Sequence, residues 1–156
     1  MNSPVVKTFG DERIAAGEVC IVVDLSECTG MDSTFMGTLA GMASRLTASQ
    51  GGVLQIAGSN DRNHRSLEDL GLDFLMEINP PSAIWHGKEE MIRGRLQVSM
   101  PAGSVGQIQR ARHVLDAHLL LSEMNDKNAR EFDDVVTLLK SELTGKEKLA
   151  ENDQSK

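Results

Sequence analysis

From Ser3 to Ile78 the chain alternates between two hydrophobic rhythms. Ser3 and Pro4 suit the start of a helix, Ser3 as cap and Pro4 at the first helical position. Val5, Val6, Phe9, Ile14 and Ala15 supply its apolar contacts, and Gly17 ends it. "VCIVVDL", Val19 to Leu25, is β-branched and almost continuously apolar. That pattern predicts a strand covered on both faces. "FMGTLAGMASRL" returns to a helical period, with a broad face of Phe35, Met36, Leu39, Met42, Ala43 and Leu46. Gly37 and Gly41 fall four apart on one side of it. Each glycine costs roughly 1 kcal/mol against alanine in a helix interior. The pair therefore predicts close approach of a neighbouring backbone. The membrane reading of Gly-x-x-x-Gly does not apply, because no long apolar run surrounds it. Gly51-Gly52 closes the helix, and "VLQIAG" reads as a second buried strand. "NDRNHRSLEDLGL" reads as a short helix with Asn60 or Asp61 as cap and Gly71 as stop. "DFLMEI" is expected as a third, shorter strand or extended edge before Pro80-Pro81 breaks the pattern.

Strands alternating with helices on short loops predict an α/β layer with at least part of its sheet parallel. Three strands are few, so elements before the first helix are expected to be missing. Residues 81–103 form a mixed linker in which "RLQVSM" is a candidate strand and Trp85 an anchor onto the domain. Ser104 and Gln107 match a capping-box spacing. Ile108, Ala111, Leu115, Leu119 and Ser122 make one narrow stripe. Ala129, Phe132, Val136, Leu139 and Leu143 make another, and Asn125-Asp126 turns between them. Two such stripes predict an antiparallel helix pair over residues 104–145. The polar residues 146–156 are expected to fray. The chain thus divides into an α/β domain at 1–80, a linker at 81–103, a helical hairpin and a tail.

Composition narrows the function. At 156 residues the chain can hold one core with an appendage. Aromatics are 3% of it, too few for a base-stacking nucleic-acid surface. A net charge of −7, from 23 acidic and 16 basic residues, argues against nucleic acid and anionic membranes. Two cysteines make neither a disulfide framework nor a zinc knuckle. Cys20, inside an apolar run, reads as a small buried hydrophobe, and Cys28 falls near the polar junction that follows. "MNSPVVKTFG" lacks the basic start and apolar stretch of a signal peptide. A cytoplasmic setting is expected.

The junction itself, "DLSECTGMDSTF", places Asp32, Ser33 and Thr34 directly before a helix. The simplest reading is a cap: Asp32 or Ser33 satisfies backbone N–H groups that lack an intrahelical partner. The functional reading is phosphorylation. A phosphate there would face the positive end of the helix dipole and add negative charge beside Asp24, Glu27 and Asp32. A nucleophilic elbow wants Gly-x-Ser-x-Gly, and here Asp32 and Thr34 flank the serine. Nothing marks His64 or His86 as its base. His113 and His118 lie five apart on a helix, about 140° around it, and read as surface or groove histidines rather than metal ligands. "GGVLQIAGSN" is not a phosphate loop. The acidic runs "KEE" and "EFDD" read as solvated faces. No cofactor and no metal site is expected.

"VVDLSECTGMDSTFMGTLAGM" resembles the signature of STAS domains, named for sulphate transporters and anti-sigma factor antagonists. The likeness runs on through "VLQIAGSNDRNHRSLEDLGLDFLMEI" and back to "SPVVKTFGDERIAAG", covering Ser3 to Ile78. It implies a STAS-like α/β sheet with helices packed on it. In the family's bacterial antagonists the serine after "MD" accepts the phosphate, which places it on Ser33, with Thr34 as fallback. Asp24 and Asp32 carry over as residues around the acceptor and in the partner interface. The face with Met36, Leu39 and Ala40 is expected to supply part of the docking surface. The resemblance implies partner switching. The antagonist binds an anti-sigma factor that is also a serine kinase, phosphorylation breaks that complex, and a protein phosphatase resets it. The antagonist is itself no enzyme. The alternative is a STAS scaffold or oligomerisation protein that is never phosphorylated. The family's domain usually carries one or two strands before the first helix, whereas this chain begins almost at that helix. Either the true start lies upstream, or an edge strand is left to be covered or paired with a second copy. The C-terminal helices are the other candidate dimer surface.

Overall fold

The computed structural model describes residues 3–96 and 105–154. Among these described residues six α-helices and three strands follow in the order α1 Ser3–Ala15, β1 Cys20–Asp24, α2 Ser33–Gln50, β2 Val53–Ala57, α3 Asp61–Asp69, β3 Glu77–Ile78, α4 Glu89–Arg95, α5 Gln107–Glu123 and α6 Asp126–Gln154. The sheet order is β1-β2-β3 and every pairing is parallel. Ile21 stands opposite Leu54, and Val23 opposite Ile56. Each parallel pair needs a crossover, and α2 and α3 supply them, as the alternating pattern predicts.

One face of the sheet holds the core. Ile21, Leu54 and Ile56 meet Leu39, Ala40, Ala43 and Leu46 of α2 in one cluster, with Leu67 and Leu72 at its far side. Each fully buried Leu or Ile stabilises the fold by about 1.5–3 kcal/mol, which makes this cluster the main source of stability. On its other side α2 crosses α1, where Gly10 lies against Met42 and Arg45 pairs with Asp11 at 2.7 Å. Gly51 ends α2 with φ of 63°, and its N–H bonds to the Leu46 and Thr47 carbonyls.

Three expectations need correction. β1 is covered on one face only: Ile21 is buried, while Val22 is 42% exposed and Cys20 is exposed too. The alternating side chains point away from α2, where the open face of the sheet is roofed only in part by Trp85 and α4. Second, "DFLMEI" is not a full strand. Residues Leu72–Phe74 form a 3₁₀ turn and pairing is confined to Glu77–Ile78, with Phe74 outside at 89% exposure. Third, α6 does not stop before the polar residues after 145 but continues through them to Gln154. Ion pairs of Lys146 with Glu142 and of Arg112 on α5 with Glu147 hold this polar stretch helical.

The linker contains α4, which begins within its charged run and ends at Arg95. Trp85 does anchor it: its Nε1–H donates to Gln55 Oε1 at 2.7 Å. Leu96 caps the helix, and the remainder of the candidate strand "RLQVSM" lies outside the described residues. Ser104, the expected cap of the next helix, lies outside them as well, and α5 starts at Gln107 after Gly106. α5 and α6 pack side by side as the antiparallel pair that their stripes predict, with Leu115, Leu121, Phe132 and Val136 between them.

Candidate functional site

The β1–α2 loop is built by its neighbours. Cys28 N–H closes a turn onto the Leu25 carbonyl at 2.9 Å. The Cys28 carbonyl accepts from Asn63 Nδ2 at 2.8 Å and Asn60 Nδ2 at 3.3 Å. Asn60 also caps α3 by accepting from Asn63 N–H at 2.8 Å. The start of α3 therefore clamps the loop that leads into α2. Sequence reasoning found Asn60 as a cap and missed Asn63, which is 1% exposed. A polar residue on the buried side of a short helix was the available signal.

Asp32 settles the capping question. Its backbone is extended, and its Oδ1 accepts from Phe35 N–H at 2.7 Å. The cap is Asp32 and Ser33 is the first residue of α2, which frees the serine hydroxyl for another partner. That partner is His118 of α5, whose Nε2 lies 2.9 Å from Ser33 Oγ. His118 Nδ1 lies 2.8 Å from the Val114 carbonyl, which can only accept. Nδ1 therefore carries the proton in the neutral ring, Nε2 is left as acceptor, and Ser33 donates to it. The ring of Phe132 on α6 meets His118 edge-on, with centroids 5.6 Å apart. His118 is 6% exposed and Ser33 half-buried. Thr34, the neighbouring hydroxyl, is half-buried too.

The second histidine also faces inward. His113 Nε2 lies 3.3 Å from Thr38 Oγ1, one turn further along α2. Thr38 already donates to the Thr34 carbonyl at 2.8 Å, so its oxygen accepts from His113. Burial pushes the His113 imidazole below its usual range and Lys7 acts in the same direction, while Asp116 and Asp11 oppose them. Of the two expectations for these histidines, surface or groove, the surface one is corrected: both are buried between α5 and α2 and reach hydroxyls of α2.

The remaining candidates separate. Asp24 sits at the end of β1, where Arg93 of α4 pairs with its carboxylate and Ser26 N–H donates to Oδ1 at 2.9 Å. Arg93 is the main cause holding the Asp24 carboxyl below the usual range. Asp24 is thus engaged by α4. Met36, Leu39 and Ala40 are 9%, 0% and 0% exposed. They are core residues, so the expectation that they dock a partner is corrected. What α2 presents outward is Ser33, Gly37 and Gly41, and α5 lies on them. A Cβ at Gly37 would stand 2.4 Å from the Ala117 carbonyl oxygen, which is the close backbone approach the glycine pair predicts. Burial and then Glu77 raise the Cys20 thiol, so it stays protonated despite its exposure.

Among the described residues no group of three His, Cys, Asp or Glu could hold a metal ion. No helix among them is long and apolar enough to cross a membrane. No curated protein and no solved structure gives a significant match. A family model for the STAS domain matches residues 2–83, the stretch that runs from α1 past β3 and contains the Asp32–Ser33 mouth of α2. The chain therefore belongs to the STAS domain family, whose members include anti-sigma factor antagonists, and its role is of the general regulatory, protein-binding kind.

Proposed function

We propose that this protein is a cytoplasmic binding module of the anti-sigma factor antagonist type, switched by phosphorylation of Ser33 and not itself an enzyme. The observation that carries the reading is the position of Ser33. It follows the cap, stands at the positive mouth of α2, is half-buried, and spends its hydroxyl on a contact between two parts of the chain rather than on capping. The partner is an anti-sigma factor with serine kinase activity. It brings a nucleoside triphosphate whose terminal P–O bond breaks as a bond from Ser33 Oγ to phosphorus forms. The nucleoside diphosphate leaves and the hydroxyl proton passes to a base of the kinase. A phosphatase returns the serine by hydrolysis. The modification adds about −1.5 to −2 charges at a rim already carrying exposed Glu27 and Asp32. Added repulsion at that rim breaks the complex. With Met36, Leu39 and Ala40 inside, the docking surface is the exposed β1–α2 loop and the mouth of α2. Thr34 is the fallback acceptor.

Incubation with such a kinase and ATP, followed by mass mapping, is expected to place one phosphate on Ser33. Ser33→Asp should weaken binding to the unphosphorylated chain's partner by about tenfold or more, and Ser33→Ala should bind and resist release. A phosphate mapped elsewhere, or equal binding by both variants, removes the switch. The second reading is a constitutive scaffold that associates through β1. It is favoured by β1 standing at one end of the sheet, with Val22 in it 42% exposed and Val19 just before it 50% exposed. It predicts self-association that neither Ser33 variant alters.

A further inference from the structure

Ser33 is held by a segment outside the family match. α5 lies along the side of α2 formed by Ser33, Gly37, Thr38 and Gly41, and two hydroxyl–imidazole pairs join the helices at Ser33–His118 and Thr38–His113. Between the pairs Gly37 meets the backbone of Ala117, and beyond them Gly41 faces Leu120. We propose that α5 is the internal reader of Ser33: the free hydroxyl seats the α5–α6 hairpin on α2, and a phosphate at that position unseats it. This rests on the reading of Ser33 as phosphoacceptor and adds how the modification is felt inside the chain.

The proton arrangement makes the contact one-way. His118 keeps its ring proton on Nδ1 for the Val114 carbonyl, so Nε2 needs a donor. A serine hydroxyl is one and a phosphoester oxygen is not. The phosphoryl group replaces the hydroxyl hydrogen that bridges the 2.9 Å between Ser33 Oγ and His118 Nε2, so this bond is lost, and it adds three acceptor oxygens beside the ring. His118 is 6% exposed and contacts the hydroxyl, the Val114 carbonyl of its own helix and the Phe132 ring. A dianion is poorly solvated there, whereas the mouth of α2 offers free N–H groups and water on its other side. Departure of α5 uncovers the Ser33–Gly37–Gly41 stripe, so the two states present different surfaces.

The test installs phosphoserine at position 33 during translation of the full chain and follows amide hydrogen exchange peptide by peptide. Amides of α5 are expected to exchange at least about tenfold faster than in the unmodified chain, while those of β2 and α3 keep their rates. Gly37→Ala, which forces α5 away while the hydroxyl stays, should give the same fast α5. Should that variant unfold throughout, His118→Ala supplies the comparison without added volume. If α5 in the phosphorylated chain exchanges at the unmodified rate, the proposal is overturned. If it exchanges more slowly, the phosphate tightens the seat of α5 instead of loosening it, and the proposal is overturned as well. A fast α5 in a chain that no kinase modifies in cells upholds the coupling and removes the switch reading. A Ser33 that is modified in cells without any change in α5 does the reverse.

Discussion

The two sides of α2 do different work. Its inner side, Leu39, Ala40, Ala43 and Leu46, is at most 1% exposed and joins Ile21, Leu54 and Ile56 in one apolar cluster. Its outer side carries Ser33, Gly37, Thr38 and Gly41, and meets α5 through a close backbone contact and two directed hydrogen bonds. Burial of apolar area is non-directional and tolerates no chemical signal. A hydrogen bond between neutral partners contributes only about 0.5–1.5 kcal/mol, but it depends on one proton. Stability is thus concentrated where nothing can be modified, and sensitivity where little stability is at stake.

The largest effect is expected from the inner side. Leu39→Ala should cost about 2–5 kcal/mol, since the site is closed and can relax only in part. For a domain with about 5–15 kcal/mol in all, that loss moves the urea midpoint strongly. Exchange protection should fall in the sheet and in α5 together. A Leu39→Ala protein that loses α5 alone would show that the two sides are not separated as described.

The inner side was the legible one. Apolar periodicity marks β1, β2 and the crossover helices, because burial writes itself as repeating residue types, but it overextends the third strand, which pairs only at Glu77–Ile78. Of the outer side only the Gly37–Gly41 pair is marked, by the cost of glycine in a helix. The stripe of α5 legible in the sequence is Ile108, Ala111, Leu115, Leu119 and Ser122, whereas the buried residues also include His113, Ala117 and His118, which meet α2. Histidine and alanine are common on exposed helix faces, so no period marks them as buried. The Met36–Leu39–Ala40 face was assigned to a partner because sequence shows that a face is apolar but not what covers it. β1 misled for the related reason that a β-branched run looks the same whether one face or both are covered.

A smaller effect distinguishes the two residues at the mouth. Asp32→Ala removes the cap and should cost about 0.5–2 kcal/mol, with faster exchange in the first turn of α2. Asp32→Ser restores most of it. Ser33→Ala leaves the cap intact and strands His118 Nε2 without a donor, a loss of about 0.5–1.5 kcal/mol that should appear in α5 rather than in α2. Thermal melts give the sizes and hydrogen exchange gives the places. Identical exchange maps for the two variants would mean that Ser33 is a second cap and that the two sides share one role.

The smallest effect tests the outer side by pH alone. His113 is held neutral by burial, with Lys7 acting the same way and Asp116 and Asp11 against it. Its folded pKa lies below the unfolded value of about 6.5. The unfolded chain therefore takes the proton first as pH falls, and stability is complete above that value and declines below it. Asp24 has the opposite displacement: Arg93 holds it low, so its contribution persists until pH falls past its unfolded value of about 3.8. Between pH 7.5 and 5.5 the His113 decline is thus free of the Asp24 one. His113→Gln, whose amide can still donate to Thr38, should lose less stability over that interval than the parent protein. The other histidines are common to both and cancel in the difference. Equal losses would mean that His113 is solvated in the folded chain, and that the seat of α5 on α2 rests on the Ser33–His118 pair and the Gly37–Ala117 contact without it.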